Sequence, residues 1–308
     1  MSSSTTSTTT STTVVHSASG ATANVNNYGA TVTSYVTKDG RECLFVSRDA
    51  ILDGSKAVRG GVPLVFPHFG PAPPANQGMP QHGFLRNNVW QIDESSTYDN
   101  DESAGISLTL KLKDVESSRG DAGESAWSKD STKFDCYCVY KIQVFPTKLT
   151  TTLEIKNTGT TEFPFQTLLH TYYMVEEHQA MDGTQCYVKG LEGYSVDDKI
   201  TGEKYTQKAT AVTIDNVNVD RVYTPPAGGA NDVVNVTIGV GASKMMRLSA
   251  TGLAEGTSVP VSCVVWNPYK EKAAQMGDFG DDQVNILMRL SVPTLDEMMA
   301  ATHEFGDM

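Results

Sequence analysis

The feature that most constrains the fold of this chain is a long succession of short segments rich in Val, Ile, Thr, Tyr and Phe. From residue 21 onward they recur roughly every 8 to 15 residues, separated by turn-forming residues. The segment GISLTLKLKD at 105–114 alternates apolar and polar residues, which is typical of a strand with one buried face. Hardly any helical periodicity lies between the segments. The sequence therefore predicts an all-β fold, a large antiparallel sandwich.

The N-terminal end departs from this pattern. Residues 1–13 are almost entirely Ser and Thr, and the first charged side chain is Lys38. A segment of this composition cannot bury enough apolar surface to fold by itself. We therefore expect a disordered tail over residues 1–18, followed by one β-sandwich domain over residues 19–290.

The C-terminal end also departs from the strand pattern. Leu295, Met298 and Met299 are apolar residues at helical spacing, and Thr294 and Glu297 have the spacing of a capping box. These signals predict that the chain ends in a short helix. We treat residues 291–308 as a divergent tail of the domain.

The charge of the chain limits its partners. A net charge of −12 and a pI near 4.9 argue against a general binder of nucleic acid or of anionic membranes, because such proteins need a basic surface. No apolar run approaches the roughly 20 residues needed to span a bilayer. The expected partner is a small polar molecule, and a monomer is the default oligomeric state.

The cysteines are odd in number and have no CxxC spacing, so neither a disulfide framework nor a zinc site is indicated. We expect reduced thiols that lie mostly in the core, which favours an intracellular, cytoplasmic protein. The tail is rich in Ser and poor in acids, as transit peptides are, but it has no Arg; a plastid or another organelle stays open. The five cysteines are Cys43, Cys136, Cys138, Cys186 and Cys263.

A segment rich in Gly and Pro, RGGVPLVFPHFGPAPPANQGMPQHGFLRNNVW at residues 59–90, has little regular periodicity. We call it the platform segment. It contains two histidines and is bracketed by Arg59 and Arg86, and guanidinium groups are suited to bidentate capture of a phosphate or carboxylate. The segment is therefore a candidate binding loop held by a rigid scaffold. For either arginine alone, a surface salt bridge is the alternative interpretation.

His170 is the candidate for acid–base chemistry. It lies in a strand-like run in which alternation puts it on one face with Gln166, Leu168 and Tyr172. A polar Gln and His on one sheet face suggest a concave binding surface, although a hydrogen-bonded core histidine is the alternative. Asp198 in a predicted turn is equally a site candidate or a solvated carboxylate.

Five blocks of the sequence form an ordered set. They are RGGVPLVFPHFGP at 59–71, GMPQHGFLRNNVW at 78–90, LLHTYY at 168–173, GLEGYSVDDK at 190–199 and VVWNPYKEKAAQMGDFGDD at 264–282. Each block alone is a weak signal, but in this order the set is specific: it resembles the glucose-6-phosphate 1-epimerase family, the hexose-6-phosphate mutarotase branch of the aldose 1-epimerase superfamily.

The resemblance implies a β-supersandwich like that of galactose mutarotase and a cofactor-free interconversion of the α and β anomers of a hexose 6-phosphate. Such a reaction needs one group to take the O1 proton and another to protonate the ring oxygen. In the family a glutamate is the base and a histidine is the acid, and the histidine of the LHTY motif corresponds to His170.

The resemblance also implies a set of substrate-binding residues. We expect Arg59 and Arg86 to contact the phosphate, and Gln81 and Asp198 to contact sugar hydroxyls. His82 corresponds to a second histidine that often lines mutarotase sites.

The catalytic glutamate of the family is where this sequence departs from the pattern. About a dozen residues beyond DFGDD, where the family has a Cys-apolar-Glu strand, this chain reads Met288-Arg289-Leu290-Ser291. Ser291 cannot act as such a base unaided, so the base is unassigned. Three explanations are open: an error in the reading frame or exon boundary of this sequence, which we prefer; a variant that binds sugar phosphate without turnover; or substitution by Glu297, which the capping box already employs.

Overall fold

The computed structural model describes residues 10–113, 115, 134–175, 184–214, 218–226, 233–241, 244–279, 287–292 and 299–307. Within these ranges the chain forms three sheets, and every strand pair is antiparallel. The predicted all-β architecture is confirmed. Helical structure in the described ranges is short: α1 (Tyr269–Ala273), the 3-10 turns Pro74–Asn76 and Leu85–Asn87, and 3-10 residues at 112–113 and 115.

The largest sheet has ten strands. In spatial order they are β13 (Ala211–Thr213), β10 (Cys186–Lys189), β15 (Val233–Gly241), β16 (Lys244–Ala254), β20 (Met299–Asp307), β8 (Lys148–Asn157), β7 (Cys136–Val144), β6 (Ala104–Lys111) and β5 (Gln91–Asp99), with β17 (Thr257–Val259) paired to β16.

The second sheet has seven strands and carries the candidate site. Their spatial order is β12 (Lys204–Thr206), β11 (Ser195–Asp198), β14 (Val219–Thr224), β18 (Ser262–Asn267), β19 (Leu287–Val292), β9 (Thr167–Tyr172) and β4 (Leu64–Val65). A third sheet joins β1 (Ser11–His16), β2 (Ala21–Asn26) and β3 (Thr31–Val36).

The two large sheets pack face to face around one core. Leu108 and Leu248 of the ten-stranded sheet share a buried cluster with Leu169, Cys263 and Val265 of the seven-stranded sheet. This is the arrangement of a β-sandwich, in which the inner faces of both sheets interdigitate. All five cysteines are free and buried, as predicted for core thiols.

The expectation of a C-terminal helix over residues 294–305 is wrong for the part that is described. Residues 299–307 form β20, which lies between β16 and β8, while residues 294–298 are outside the described ranges. A strand in that position satisfies the backbone donors and acceptors of two long neighbours, and such pairing overrides the local helical spacing. β19 likewise lies between β18 and β9, so the chain end supplies interior strands to both large sheets instead of a divergent tail.

The disorder predicted for residues 1–18 is wrong for the part that is described, residues 10–18. Residues 11–16 form β1, which pairs along its whole length with β2, and Val14 and His16 are buried. Thr and Val form strands well when a partner strand is present. An argument from composition alone does not take such a partner into account. Residues 1–9 lie outside the described ranges. Within those ranges, no helix has the length and apolar character needed to cross a membrane.

Candidate functional site

The candidate site lies on the face of the seven-stranded sheet that points away from the main core. Leu169 and Tyr173 belong to the main core cluster, whereas Leu168 packs with Val65 and Val264 in a separate one. The alternation predicted for the LLHTYY run is therefore confirmed. It puts His170 on the face opposite the main core.

The platform segment is attached to this face along β9. Its backbone carbonyls accept hydrogen bonds from the amides of β9: Pro63 O from His170 N (2.9 Å) and Gly61 O from Tyr172 N (2.8 Å). Further along the chain, Pro67 O accepts from Gln166 N (2.9 Å). The segment thus runs as an edge beside the strand that carries His170.

The double glycine after Arg59 is required by close backbone packing. Gly60 and Gly61 both have positive φ (131° and 65°). A Cβ on Gly60 would lie 2.4 Å from Val46 Cα, and one on Gly61 would lie 2.1 Å from Val32 O. Only glycine fits here, and this passage fixes where the Arg59 side chain begins.

His170 is 3% exposed and is held between two aromatic rings. Its ring stacks on that of Tyr172, with centroids 5.2 Å apart and planes at 28°. On another side the edge of His82 approaches it, with centroids 5.7 Å apart and planes at 66°. These contacts restrict the orientation of the imidazole, as a positioned acid requires.

His82 has a defined tautomer. The Gly70 amide donates to its Nδ1 at 2.9 Å, so in the neutral ring the proton is on Nε2. Its backbone has φ of 67°, and its ring stacks on Phe69 with centroids 5.2 Å apart. A non-glycine residue in the left-handed region is uncommon and is often found at functional sites.

His68, the other histidine of the platform segment, has a structural role. Its Nε2 donates to Pro80 O (3.2 Å) and its Nδ1 accepts from Asn76 Nδ2 (3.2 Å), so both ring nitrogens support the same loop. Burial lowers its pKa below 6.5, and the hydrogen bond to Pro80 only partly opposes this. His68 is therefore neutral near pH 7.

Arg59 reaches the same face and is fixed by two acceptors. Its Nε and Nη2 donate to Asp278 Oδ1 (3.1 Å) and Oδ2 (3.4 Å), and its Nη1 donates to the Tyr172 hydroxyl (3.2 Å). The side chain is 27% exposed. The arginine is thus anchored through Tyr172 to the ring that stacks on His170.

Asp278 follows α1, in a turn that folds back over this face. The neighbouring Phe279 packs on Phe45 and Trp266, with ring centroids 5.7 and 6.4 Å apart. Burial alone would raise the pKa of Asp278, but Lys56 at 2.9 Å and Arg59 outweigh it and lower the pKa. The ion pair therefore persists at any pH above the usual Asp value of 3.8.

Arg86 and Gln81 lie at the far end of the platform segment. Arg86 Nη2 donates to Gln81 O (2.8 Å), which braces the turn that presents His82. Arg86 is also close to Tyr28: burial raises the pKa of Tyr28, and the charge of Arg86 opposes this. The Gln81 side chain is exposed.

Asp198 is not brought together with His170. It belongs to β11, four strands from β9, or roughly 19 Å at the usual strand spacing. The strand register aligns it with Thr171, which takes the opposite face from His170. Its carboxylate accepts from Arg221 Nε (2.7 Å) and from the amides of Ile200 and Thr201. A contact of Asp198 with a sugar hydroxyl stays a prediction that this geometry does not support.

The neighbouring Asp197 is aligned with His170 across the sheet. Successive register partners lead from Asp197 through Val222, Val264 and Arg289 to His170, so Asp197 takes the same face as His170. Asp197 pairs with Lys199 at 2.7 Å and Lys204 at 3.9 Å.

The position expected for the catalytic base is on β19. Ser291 is the register partner of Leu168, and Arg289 is the register partner of His170. The backbone of this strand therefore lies beside β9, which carries His170, and the residues at these two positions are a serine and an arginine. Glu297 lies outside the described residues.

A separate cleft of about 520 Å³ lies at the other end of β9. Its walls are mainly proline and phenylalanine, and Glu162 is its one charged residue among the described ones. Apolar walls offer few hydrogen bonds to sugar hydroxyls, and the Glu162 carboxylate would repel a phosphate. The arrangement of Arg59, Tyr172, His170 and His82 is the better candidate site.

Sequence reasoning did not single out three of the residues that hold this site. Tyr172 was placed on the His170 face by alternation, but nothing in the pattern indicated its bond to Arg59. Asp278 and Lys56 are far apart in the chain, and only the fold brings them together with Arg59. The MGDF block that contains Asp278 was the one available signal.

Comparison with known proteins identifies the class. A model of the aldose 1-epimerase family matches residues 12–284, and the chain therefore belongs to that family. The fold agrees: a mutarotase, provisionally so named, from Salmonella typhimurium superposes with a TM-score of 0.69 at 22% identity, over 94% of this chain and 88% of its own. The family connects the chain with the interconversion of sugar anomers.

Two curated relatives are similar to this chain over most of its length. A protein of Cenchrus ciliaris is 30% identical over 87% of this chain and 73% of its own length. One of Escherichia coli K12 is 28% identical over 90% of this chain and 81% of its own. Both carry the provisional name glucose-6-phosphate 1-epimerase.

Proposed function

We propose that this protein is a hexose-6-phosphate 1-epimerase, with glucose 6-phosphate as its substrate. The observation that carries the proposal is the buried His170, clamped between Tyr172 and His82 beside an anchored arginine. The provisional names of the two curated relatives support the substrate class.

The reaction requires no net change of bonds. A base removes the proton from the O1 hydroxyl while His170 protonates the ring oxygen, so the C1–O5 bond breaks and an aldehyde forms. Rotation about C1–C2 exposes the other face of the aldehyde. Ring closure then reverses both transfers: His170 takes back the proton from O5, and O1 is protonated again.

The remaining residues hold the substrate. Arg59 and Arg86 are the proposed contacts of the phosphate, because a guanidinium binds its oxygens through charge-assisted hydrogen bonds. Gln81 is the proposed contact of a sugar hydroxyl, and His82, with its proton on Nε2, offers a further donor beside His170. The proposal includes no metal and no cofactor.

The base is unassigned. Asp278 is a poor candidate, since its ion pairs with Lys56 and Arg59 lower its pKa and stabilise the carboxylate against protonation. Arg289, the register partner of His170, and Ser291, the register partner of Leu168, supply no carboxylate. This observation favours a second candidate function, a protein of the same fold that binds sugar phosphate without turnover.

One experiment separates the two functions. Freshly dissolved α-glucose 6-phosphate is followed by polarimetry as it relaxes to the anomeric mixture, at low temperature, with and without the protein. Calorimetry measures the binding of the same ligand. The enzyme accelerates relaxation in proportion to its concentration. Ligand binding with relaxation no faster than in buffer would instead identify the non-catalytic binder. If the protein neither binds the ligand nor accelerates its relaxation, both proposed functions are excluded.

A further inference from the structure

Tyr172 makes two contacts of different chemistry on the candidate face. Its hydroxyl accepts a hydrogen bond from Arg59 Nη1 (3.2 Å), and its ring stacks on His170 at a centroid distance of 5.2 Å. The residue is only 2% exposed, and it packs with Phe45 and Trp266. One rigid side chain therefore touches both the proposed anion-binding group and the proposed acid.

The anchoring of Arg59 leaves donors available for a ligand. A guanidinium has five N–H groups. The Asp278 carboxylate and the Tyr172 hydroxyl take three of them among the described residues, which leaves one N–H on each of Nη1 and Nη2. Two N–H groups on adjacent nitrogens are what a bidentate contact with a phosphate needs.

We propose that Tyr172 is a positioning residue that aligns the anion-binding Arg59 with the proton-donating His170. This inference rests on the proposed function. The hydroxyl fixes where the guanidinium presents its remaining donors, and the ring fixes the plane of the imidazole. Asp278 also holds Arg59, but Tyr172 is the side chain that links the proposed phosphate contact to the proposed acid.

The two contacts can be removed separately. Tyr172→Phe keeps the ring against His170 and removes only the acceptor for Arg59. We expect it to weaken glucose 6-phosphate binding and to raise KM about 3- to 10-fold, the effect of one ordinary hydrogen bond, because Arg59 keeps its charge and its contacts with Asp278; kcat should stay within about twofold. Tyr172→Leu removes the ring as well, so kcat should fall about tenfold or more, with a changed pH profile.

The neighbouring tyrosine provides a matched control. Tyr173 is fully buried in the main core on the opposite face of the same strand. Tyr173→Phe removes a buried hydroxyl in the same way, and its loss should lower Tm without a change in ligand binding or KM. Melting curves identify any variant that fails to fold; the conservative Tyr172→Phe carries the decision if Tyr172→Leu does not fold.

Calorimetry with glucose 6-phosphate and glucose, alongside the relaxation assay, is the deciding measurement. The inference predicts that Tyr172→Phe weakens binding of the phosphorylated ligand and leaves glucose binding unchanged. Equal effects on both ligands, or behaviour like Tyr173→Phe, would overturn it. If the wild-type protein binds but does not accelerate relaxation, the proposed epimerase activity fails separately, and the binding comparison still decides whether Tyr172 positions Arg59.

Discussion

At the scale of single residues, the site is built from side chains with more than one task. Arg59 is fixed by a carboxylate and a hydroxyl before any ligand arrives, and such preorganisation lowers the entropic cost of binding. His82 carries its proton on the nitrogen that faces away from the Gly70 amide. Asp198 and Asp278 each pair with an arginine, yet only Asp278 lies on the His170 face.

The role of Arg86 yields a prediction on ligand selectivity. If Arg86 contacts the phosphate, Arg86→Ala removes a charge-assisted interaction and weakens glucose 6-phosphate binding by about 10- to 100-fold, with a much smaller effect on glucose. Calorimetry with both sugars measures the ratio. Arg48→Ala, which removes an arginine that is 61% exposed, is the control. Equal losses for the two sugars would show that Arg86 acts only by bracing the turn at Gln81.

At the scale of elements, the platform segment is stabilised by a titratable residue, His68, which hydrogen-bonds to Pro80 and Asn76. Burial lowers the pKa of His68 below its ordinary 6.5, so the folded state binds fewer protons than the unfolded state. The contribution of His68 to stability is therefore complete above about pH 6.5 and declines as the pH falls below that value toward the folded pKa.

This pH dependence is testable with one substitution. His68→Gln keeps a donor for Pro80 and cannot titrate. We expect the wild type to be the more stable protein at pH 8, and the difference in Tm to shrink as the pH is lowered to 5. A Tm difference that stays constant over this range would contradict the neutral, buried state of His68.

The placement of β20 gives a second prediction at this scale. Thr302 pairs with Thr251 of β16 and Thr152 of β8, so a proline there removes a donor from the interior of the ten-stranded sheet. We expect Thr302→Pro to lower Tm by roughly 10 °C or to prevent folding. Thr302→Ser keeps the N–H and should stay within a few degrees of wild type. A proline variant as stable as the serine variant would place residues 299–307 outside the sheet.

How far the sequence predicts this structure differs between elements. Alternation was sufficient for β6 and for the face that carries His170, because both depend on local period alone. Helical spacing predicted the wrong structure for β20, where pairing with two distant strands decides the outcome, and composition did so for β1, which becomes a strand because β2 pairs with it. The Asp198 contact was expected from the family resemblance; two adjacent aspartates point to opposite faces, and only the register shows that Asp197 is the one that shares a face with His170.

At the scale of the whole molecule, the two faces of the seven-stranded sheet have different roles. The face of the seven-stranded sheet toward the ten-stranded sheet forms the core, and its other face carries the candidate site. The last described strands, β19 and β20, tie both sheets together from one stretch of chain. β19 also places Arg289 and Ser291 where the family resemblance predicts the catalytic base. The position of this strand therefore affects both the fold and the proposed chemistry.

The central claim is that His170 is the acid of a sugar-phosphate epimerase, and the most direct measurement is the relaxation rate of α-glucose 6-phosphate with wild type and with His170→Asn. We expect wild type to accelerate relaxation and His170→Asn to lose about 10²- to 10⁴-fold of kcat while ligand binding persists. His16→Asn, at a histidine that is equally buried but on β1, should keep its turnover. Wild-type acceleration that survives His170→Asn undiminished would contradict the claim.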